Sequence, residues 1–104
     1  MVVGEGPGHE RDTEKVVTEA GLVGELGDRS IQFSDLNRDE LVRVKAAADH
    51  SGLGDLWLQR TVLQADLIVS MPKVKTHHWA GVTLSIKNMF GIIPGMKYGW
   101  PKNI

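Results

Sequence analysis

The feature that most constrains the fold is a short apolar run, Leu67 to Met71, which is stopped by Pro72. A continuous apolar run of this length is typical of a strand that is covered on both faces. Proline ends the pairing of such a strand because it has no backbone N–H group. We therefore predict a buried strand over residues 67–71. A buried strand needs neighbouring strands and covering helices, so the predicted fold class is α/β, with a mixed or parallel sheet and flanking helices.

Two helices are predicted from capping residues and apolar spacing. Asp12 or Thr13 is suited to begin the first, and Gly21 is suited to the left-handed position after its last turn. The second helix is predicted from Trp79 to Ile93, because apolar residues recur there at steps of three and four.

Alternating apolar and polar residues predict further short strands. These strands are centred on Ile31 and Phe33, on Val42 and Val44, and on 56–58. Two of the strand pairs are compatible with antiparallel hairpins as well as with a parallel sheet. The pattern therefore predicts the class of the fold and leaves the strand order open.

The composition excludes several classes of function. A chain of 104 residues with no cysteine has no disulfide framework and no cysteine-held zinc or iron-sulfur cluster within these residues. The net charge of -1 argues against a nucleic-acid partner. No apolar run approaches the roughly 20 residues of a membrane helix, and the N-terminus lacks the features of a signal peptide. We expect a cytoplasmic location, with no nucleic-acid and no membrane partner.

The residues that follow Pro72 carry the densest set of chemical groups in the chain. Lys73 and Lys75 alternate on a predicted extended segment, so both project to the same side and can hold one carboxylate or phosphate. Open α/β sheets bind ligands at the carboxyl ends of their strands, which is where this segment would lie. The alternative is a solvated loop with ordinary surface lysines.

The adjacent histidines are candidates for proton transfer. Imidazole titrates near neutral pH, so His77 is suited to act as a general acid or base while His78 packs or is solvated. Neighbouring histidines rarely point at one metal ion, and no carboxylate stands at a familiar zinc spacing. No metal site is predicted.

The predicted second helix adds further polar groups to the same candidate site. Thr83 and Lys87 would lie one turn apart, with Asn88 beside them, although the polar face of an ordinary amphipathic helix would look the same. The candidate catalytic residues are His77 and Lys75. The candidate ligand-binding residues are Lys73, Thr76, Thr83, Lys87 and Asn88.

Two other motifs have simpler explanations. The glycine-rich turn from Gly4 to His9 resembles a phosphate-binding loop only weakly, because its spacing is wrong and Pro7 removes a donor. A plain turn between a strand and a helix explains it better. The cluster of Asp35, Asn37 and Arg38 is explained by a turn with Asx capping.

Long stretches of the chain resemble a known family. Asp66 to His78 and Gly81 to Gly91 resemble the hallmark of the bacterial and archaeal family called domain of unknown function DUF362. The Gly4 to His9 turn and the Asp35 to Arg38 segment also resemble it, so the resemblance covers nearly the whole chain. Members are usually several times longer, which implies that residues 1–104 form one partial DUF362-like α/β domain from the centre of a larger one.

The resemblance implies an α/β domain that often occurs beside ferredoxin-like iron-sulfur modules, and hence redox-linked chemistry on a small molecule. Our leading hypothesis is an enzyme domain that binds a small anionic molecule in a pocket at the end of the 67–71 strand. The alternative is a non-catalytic scaffold that docks a ferredoxin-like protein through the second helix and the loop from Gly91 to Trp100. Self-association through open sheet edges is a third possibility. The cofactor and the substrate are not predicted.

Overall fold

The computed structural model describes residues 1–8, 11–45, 54–78 and 81–99. Short strands and short helices alternate along the chain, so the predicted α/β class is confirmed. In chain order they are β1 (Val2–Glu5), α1 (Thr13–Glu19), α2 (Leu22–Asp28), β2 (Gln32–Asp35), β3 (Leu41–Lys45), β4 (Asp55–Gln59), α3 (Arg60–Leu63), β5 (Lys75–His77), β6 (Gly81–Thr83), α4 (Ser85–Met89), a 3₁₀ turn (Phe90–Ile92) and α5 (Gly95–Tyr98).

Within the described residues the strands form three separate two-stranded sheets. β1 and β2 are parallel, with Val3 opposite Phe33. β3 and β4 form an antiparallel pair in which Arg43 lies opposite Trp57. β5 and β6 form a short antiparallel hairpin. The β3–β4 hairpin joins two predicted strands, whereas β5–β6 was not predicted and its second strand lies where a helix was expected. The parallel arrangement is limited to the first of the described sheets.

The connection between β1 and β2 is made by α1 and α2. The Asp12 carboxylate caps α1 by accepting a hydrogen bond from the Lys15 N–H group at 2.8 Å, as predicted. Gly21 then adopts a left-handed conformation, with φ of 75°, and begins α2. Val17 and Leu26 are buried and pack the two helices into the small core beside the parallel strands.

Gly4 at the end of β1 and Gly6 just after it lie close to the chain that follows β2. A Cβ atom added at Gly4 would lie 3.0 Å from the Cδ2 atom of buried Leu36, and one at Gly6 would lie 3.3 Å from the Asn37 side-chain oxygen. The chain after β2 therefore approaches the end of β1 more closely than a larger residue would allow. Gly4 belongs to β1 and His9 lies outside the described residues, so the interpretation of Gly4 to His9 as a plain turn stays a prediction.

Asp35 organises the turn that follows β2. Its Oδ1 atom accepts hydrogen bonds from the Thr13 hydroxyl group at 2.8 Å and from the Asn37 N–H group at 2.9 Å. Arg38 lies within ion-pair distance of both Asp35 and Asp12. The capping explanation of this polar cluster is confirmed.

The β3–β4 hairpin joins this unit through a buried glutamine. The side chain of Gln59 is 1% exposed, and its Nε2 atom donates a hydrogen bond to the Leu36 carbonyl oxygen at 3.0 Å. In the same strand, the Trp57 backbone N–H group donates to the Tyr98 hydroxyl oxygen at 2.9 Å, and the Lys97 ammonium lies 4.4 Å from the centre of the Trp57 ring. These contacts hold α5 against β4.

The predicted buried strand over residues 67–71 is wrong. The structure places no strand there, and Leu67 and Met71 are 81% and 82% exposed. A strand with two apolar faces is stable only when other strands pair with it and layers cover it. Among the described residues no strand pairs with this run, so its apolar side chains lie in solvent.

The predicted second helix begins too early. Gly81–Thr83 is a strand, the helix α4 starts at Ser85, and a 3₁₀ turn follows it. Gly81 has a φ of 71°, which a helix does not accommodate, and the β-branched residues after it favour extended backbone. Trp79 lies outside the described residues. The three- and four-residue spacing is therefore shared among a strand, a short helix and a turn.

Candidate functional site

The candidate site is built on one face of the β5–β6 hairpin. Lys75 and His77 alternate along β5 and so project to the same side, and Thr83 lies directly opposite Lys75 on β6. Thr76 pairs with Val82 and belongs to the other side of the hairpin. The hairpin thus brings three of the predicted site residues together and separates Thr76 from them.

The hydroxyl group of Thr83 is the most unusual polar group on this face. Its oxygen is buried, and it has no hydrogen-bond partner among the described residues. A hydroxyl group withdrawn from water without a partner destabilises a fold by about 1–3 kcal/mol. A buried hydroxyl group of this kind needs an explanation, and a hydrogen bond to a bound molecule or ion would supply one.

His77 lies in an electropositive and partly buried environment. Burial lowers the pKa of His77, and repulsion from Lys87, from His78 and from Lys75 lowers this pKa further. The His77 and His78 rings are stacked, with centroids 4.8 Å apart and planes only 7° from parallel. The neutral form of His77 is therefore favoured, and a neutral imidazole can accept a proton.

The helix α4 supplies two more predicted residues, with different roles. Lys87 is half-buried and close enough to His77 to act on its charge, so it belongs to the same site. The Asn88 side-chain amide instead donates a hydrogen bond to the Ser70 hydroxyl oxygen at 3.1 Å. Asn88 therefore links α4 to the segment before β5. Lys73 is exposed in that segment.

The site lies elsewhere than the sequence predicted. The expected pocket at the carboxyl end of a 67–71 strand does not form, because residues 67–71 are not a strand. The hairpin and α4 hold Lys75, His77, Thr83 and Lys87 instead. Thr83 reaches the site from β6 and not from a helix.

Comparison with known proteins places the chain in a family. Residues 1–103 match the family described as Domain of unknown function (DUF362). The chain belongs to the DUF362 family. The resemblance seen in the sequence is thereby confirmed over essentially the whole chain.

One relative of this DUF362 chain is the thylakoid-associated protein sll1697 of Synechocystis sp., which is 33% identical over 70 residues. The match covers 67% of this chain and 22% of the relative, so the chain corresponds to less than a quarter of that protein's length. No solved structure matches the chain significantly.

The charges of this DUF362 chain are divided along its length. All 13 acidic residues lie at or before Asp66, whereas residues 67–104 contain five lysines and no acidic residue. The ion pairs of the described residues accordingly join side chains between Asp12 and Arg60. The lysines of the candidate site therefore have no carboxylate near them in sequence. An overall net charge of -1 conceals a strongly basic segment.

Two features of the site were missed from the sequence. The absence of acidic residues after Asp66 was visible there and makes the segment that follows electropositive. The link from Ser70 to Asn88 left no local signal, because the two residues lie far apart in the chain.

The part of the chain that the structure describes contains neither a cluster of metal-binding side chains nor a helix that could span a membrane. There, no group of three or more histidine or acidic side chains is placed to hold a metal ion. In the same residues, no helix is long and apolar enough to cross a membrane.

Proposed function

We propose that this DUF362 domain binds a small oxoanion, a carboxylate or a phosphate, on the face formed by β5, β6 and α4. Lys75 and Lys87 neutralise the charge of the anion, with Lys73 adding charge at the rim. Thr83 donates a hydrogen bond to an anion oxygen. His77 accepts a proton from the bound molecule or returns one to it.

The observation that carries the proposal is the buried Thr83 hydroxyl group beside Lys75. A hydroxyl group can donate to an anion oxygen that an ammonium group also contacts, and hydrogen bonds to an ionised acceptor are roughly twice as strong as neutral ones. The bound anion would satisfy the Thr83 oxygen, which has no partner among the described residues. It would also offset the repulsion that Lys87 exerts on the charged form of His77.

In the whole protein we propose that this site belongs to a redox-linked enzyme acting on a small molecule. The chain contains no cysteine, so an iron-sulfur module that exchanges electrons with the bound molecule would be a separate domain or protein. The chain's own residues then bind and orient the anion and move its proton.

The test uses sulfate, whose charge is constant between pH 5 and 8, and follows binding by amide chemical shifts. We expect Thr83→Val and Lys75→Met each to weaken sulfate binding about tenfold, which corresponds to one charge-assisted hydrogen bond. Thr83→Ser keeps the hydroxyl group and retains binding. Lys15→Met, which removes a lysine from α1, serves as the control. Unchanged sulfate binding in both Thr83→Val and Lys75→Met would refute the proposal.

A second candidate function is a non-catalytic scaffold that docks a ferredoxin-like protein. The observation that favours it is the exposure of apolar side chains on α4 and α5, where Ile86 is 91% and Met96 is 75% exposed. Trp100, which the sequence placed in this surface, lies outside the described residues.

Pull-down with a ferredoxin-like protein separates the two functions. Docking predicts that binding is lost in Ile86→Glu and retained in Lys75→Met and His77→Gln. If Lys75→Met and His77→Gln lost the ferredoxin-like protein while Ile86→Glu kept it, the result would count against docking through α4 and would favour a role for the anion site. The name of the Synechocystis relative associates that protein with thylakoids, and the cytoplasmic location of this chain stays a prediction.

A further inference from the structure

The segment before β5 exposes apolar side chains in an alternating pattern. Leu67, Val69 and Met71 are 81%, 71% and 82% exposed, whereas Ile68 between them is 48% exposed and Ser70 is only partly accessible. A two-residue period is that of an extended chain with one face outward. We call residues 67–71 the open segment.

The backbone of the open segment is unpaired. Among the described residues no backbone hydrogen bond reaches residues 67–71, and no strand lies beside them. One face is nevertheless held in place, because the Ser70 hydroxyl group accepts the hydrogen bond from Asn88 of α4. Relative to the part of the chain that the structure describes, the segment therefore presents unpaired backbone groups and an outward apolar face, and one side-chain hydrogen bond ties it to α4.

From these two features we infer that the open segment accepts a strand from a partner protein. Strand addition satisfies backbone N–H and C=O groups while alternate side chains of the added strand meet the exposed apolar face. The strand it fits has apolar residues at every second position and acidic residues at its ends.

The charge of the surroundings decides the chemistry of the partner. Lys73 and Lys75 follow the open segment, and residues 67–104 contain five lysines without an acidic residue. Acidic residues at the ends of the added strand complement these lysines. A second copy of this chain that paired through the same segment would bring the same lysines to the interface and be repelled. A lipid surface would leave the backbone groups unsatisfied, because hydrocarbon offers no hydrogen bonds.

Binding of designed peptides tests the inference. The probe is the acetylated peptide Glu-Glu-Val-Thr-Val-Thr-Val-Glu-Glu, measured by calorimetry and by amide exchange of the open segment. We expect binding that slows exchange there. The same peptide with lysine in place of glutamate should bind at least about tenfold more weakly, since like charges oppose association. Methylation of alternate backbone nitrogens along one edge of the glutamate peptide should abolish binding, because it removes the N–H groups that would donate hydrogen bonds to the open segment.

Matched variants of the protein locate the site. Val69→Pro removes a backbone donor from the exposed segment and should reduce peptide binding about tenfold. Lys73→Glu should do the same by reversing a charge. Lys15→Glu makes the same charge change on α1 and should have no effect.

Three outcomes would overturn the inference. The first is equal binding of the glutamate peptide before and after backbone methylation. The second is concentration-dependent dimerisation of the protein that Val69→Pro abolishes, without binding of the glutamate peptide. The third is cosedimentation with phosphatidylglycerol vesicles, again without binding of that peptide. The second outcome would assign the segment to a second copy, and the third would assign it to a lipid surface.

Discussion

Lys75 lies directly opposite Thr83 in the β5–β6 hairpin, so an ammonium group and a buried hydroxyl group with no described partner share one face. His77 is on the same face, and Lys87 is near enough to lower its pKa. The protonation of His77 therefore depends on the charges that surround it, and three measurable consequences follow from this arrangement.

Removal of Lys87 should raise the pKa of His77. Lys87 is the strongest of the neighbouring charges that lower this pKa, with Lys75 contributing less. We expect the pKa of His77 to rise in Lys87→Met and to rise by a smaller amount in Lys75→Met. Titration of the His77 ring by NMR measures both. Lys15→Met should leave the titration unchanged, and the reverse order of the two effects would contradict the arrangement.

The stability of the protein should fall as His77 becomes protonated. The pKa of His77 is lowered on folding, so the unfolded chain binds this proton more tightly. The stabilising contribution is therefore complete above the ordinary pKa of about 6.5 and is lost as the pH falls through the lowered value. Urea unfolding of the wild type and of His77→Gln between pH 8 and 5 measures the difference. If the wild type instead became more stable relative to His77→Gln as the pH fell, the predicted direction of the pH dependence would be contradicted.

Sulfate binding should strengthen on acidification, because His77 becomes protonated. Protonation of His77 adds a positive charge beside Lys75 and Lys87, and a bound sulfate gains a further favourable interaction. We expect sulfate affinity to increase as the pH falls below neutral in the wild type and to change less in His77→Gln. Equal pH dependence in the two proteins would remove His77 from the site.

Substitution by alanine should have opposite effects on stability at Gly21, between α1 and α2, and at Gly24, inside α2. Gly21 has a φ of 75°, so Gly21→Ala should destabilise the protein by about 1–2 kcal/mol. Gly24 lies inside α2 with no atom within 4 Å of an added Cβ, so Gly24→Ala should stabilise by up to about 1 kcal/mol. Thermal and urea unfolding measure both. Equal effects of the two changes would contradict the left-handed turn.

The Tyr98 hydroxyl group should contribute to the position of α5. It accepts the hydrogen bond from the Trp57 N–H group, so Tyr98→Phe should destabilise the protein by about 1 kcal/mol and speed exchange of the Trp57 amide proton. Met96→Ala, at an exposed position of the same helix, is the control and should stay within about 0.5 kcal/mol. Unchanged exchange at Trp57 in Tyr98→Phe would show that the contact is not formed in solution.

Local patterns predicted the parts of the fold that local interactions determine. Asp12 caps α1 and Gly21 turns the chain because the capping bond and the positive φ involve residues a few positions apart. The alternation around Val42 and Val44 likewise predicted β3. Each of these signals needs no knowledge of distant partners.

The errors arose where distant partners decide the conformation. The run from Leu67 to Met71 has the composition of a buried strand, but composition does not supply the strands that would pair with it. The site residues were predicted from type and proximity, and their common face depends on the hairpin register that sets Lys75 opposite Thr83. In a hairpin the register is set by the short connection and not by distant residues, and it was missed because the apolar spacing after Trp79 was interpreted as a helix.

The division of the described strands into three separate pairs has a consequence for how the molecule opens. Because no ladder of hydrogen bonds joins β5–β6 to β1–β2, the hairpin can open by local fluctuation while the parallel pair stays closed. The candidate site therefore belongs to a unit with its own opening equilibrium. A ligand bound there slows solvent exchange of the hairpin amides well before it alters the melting of the rest of the protein.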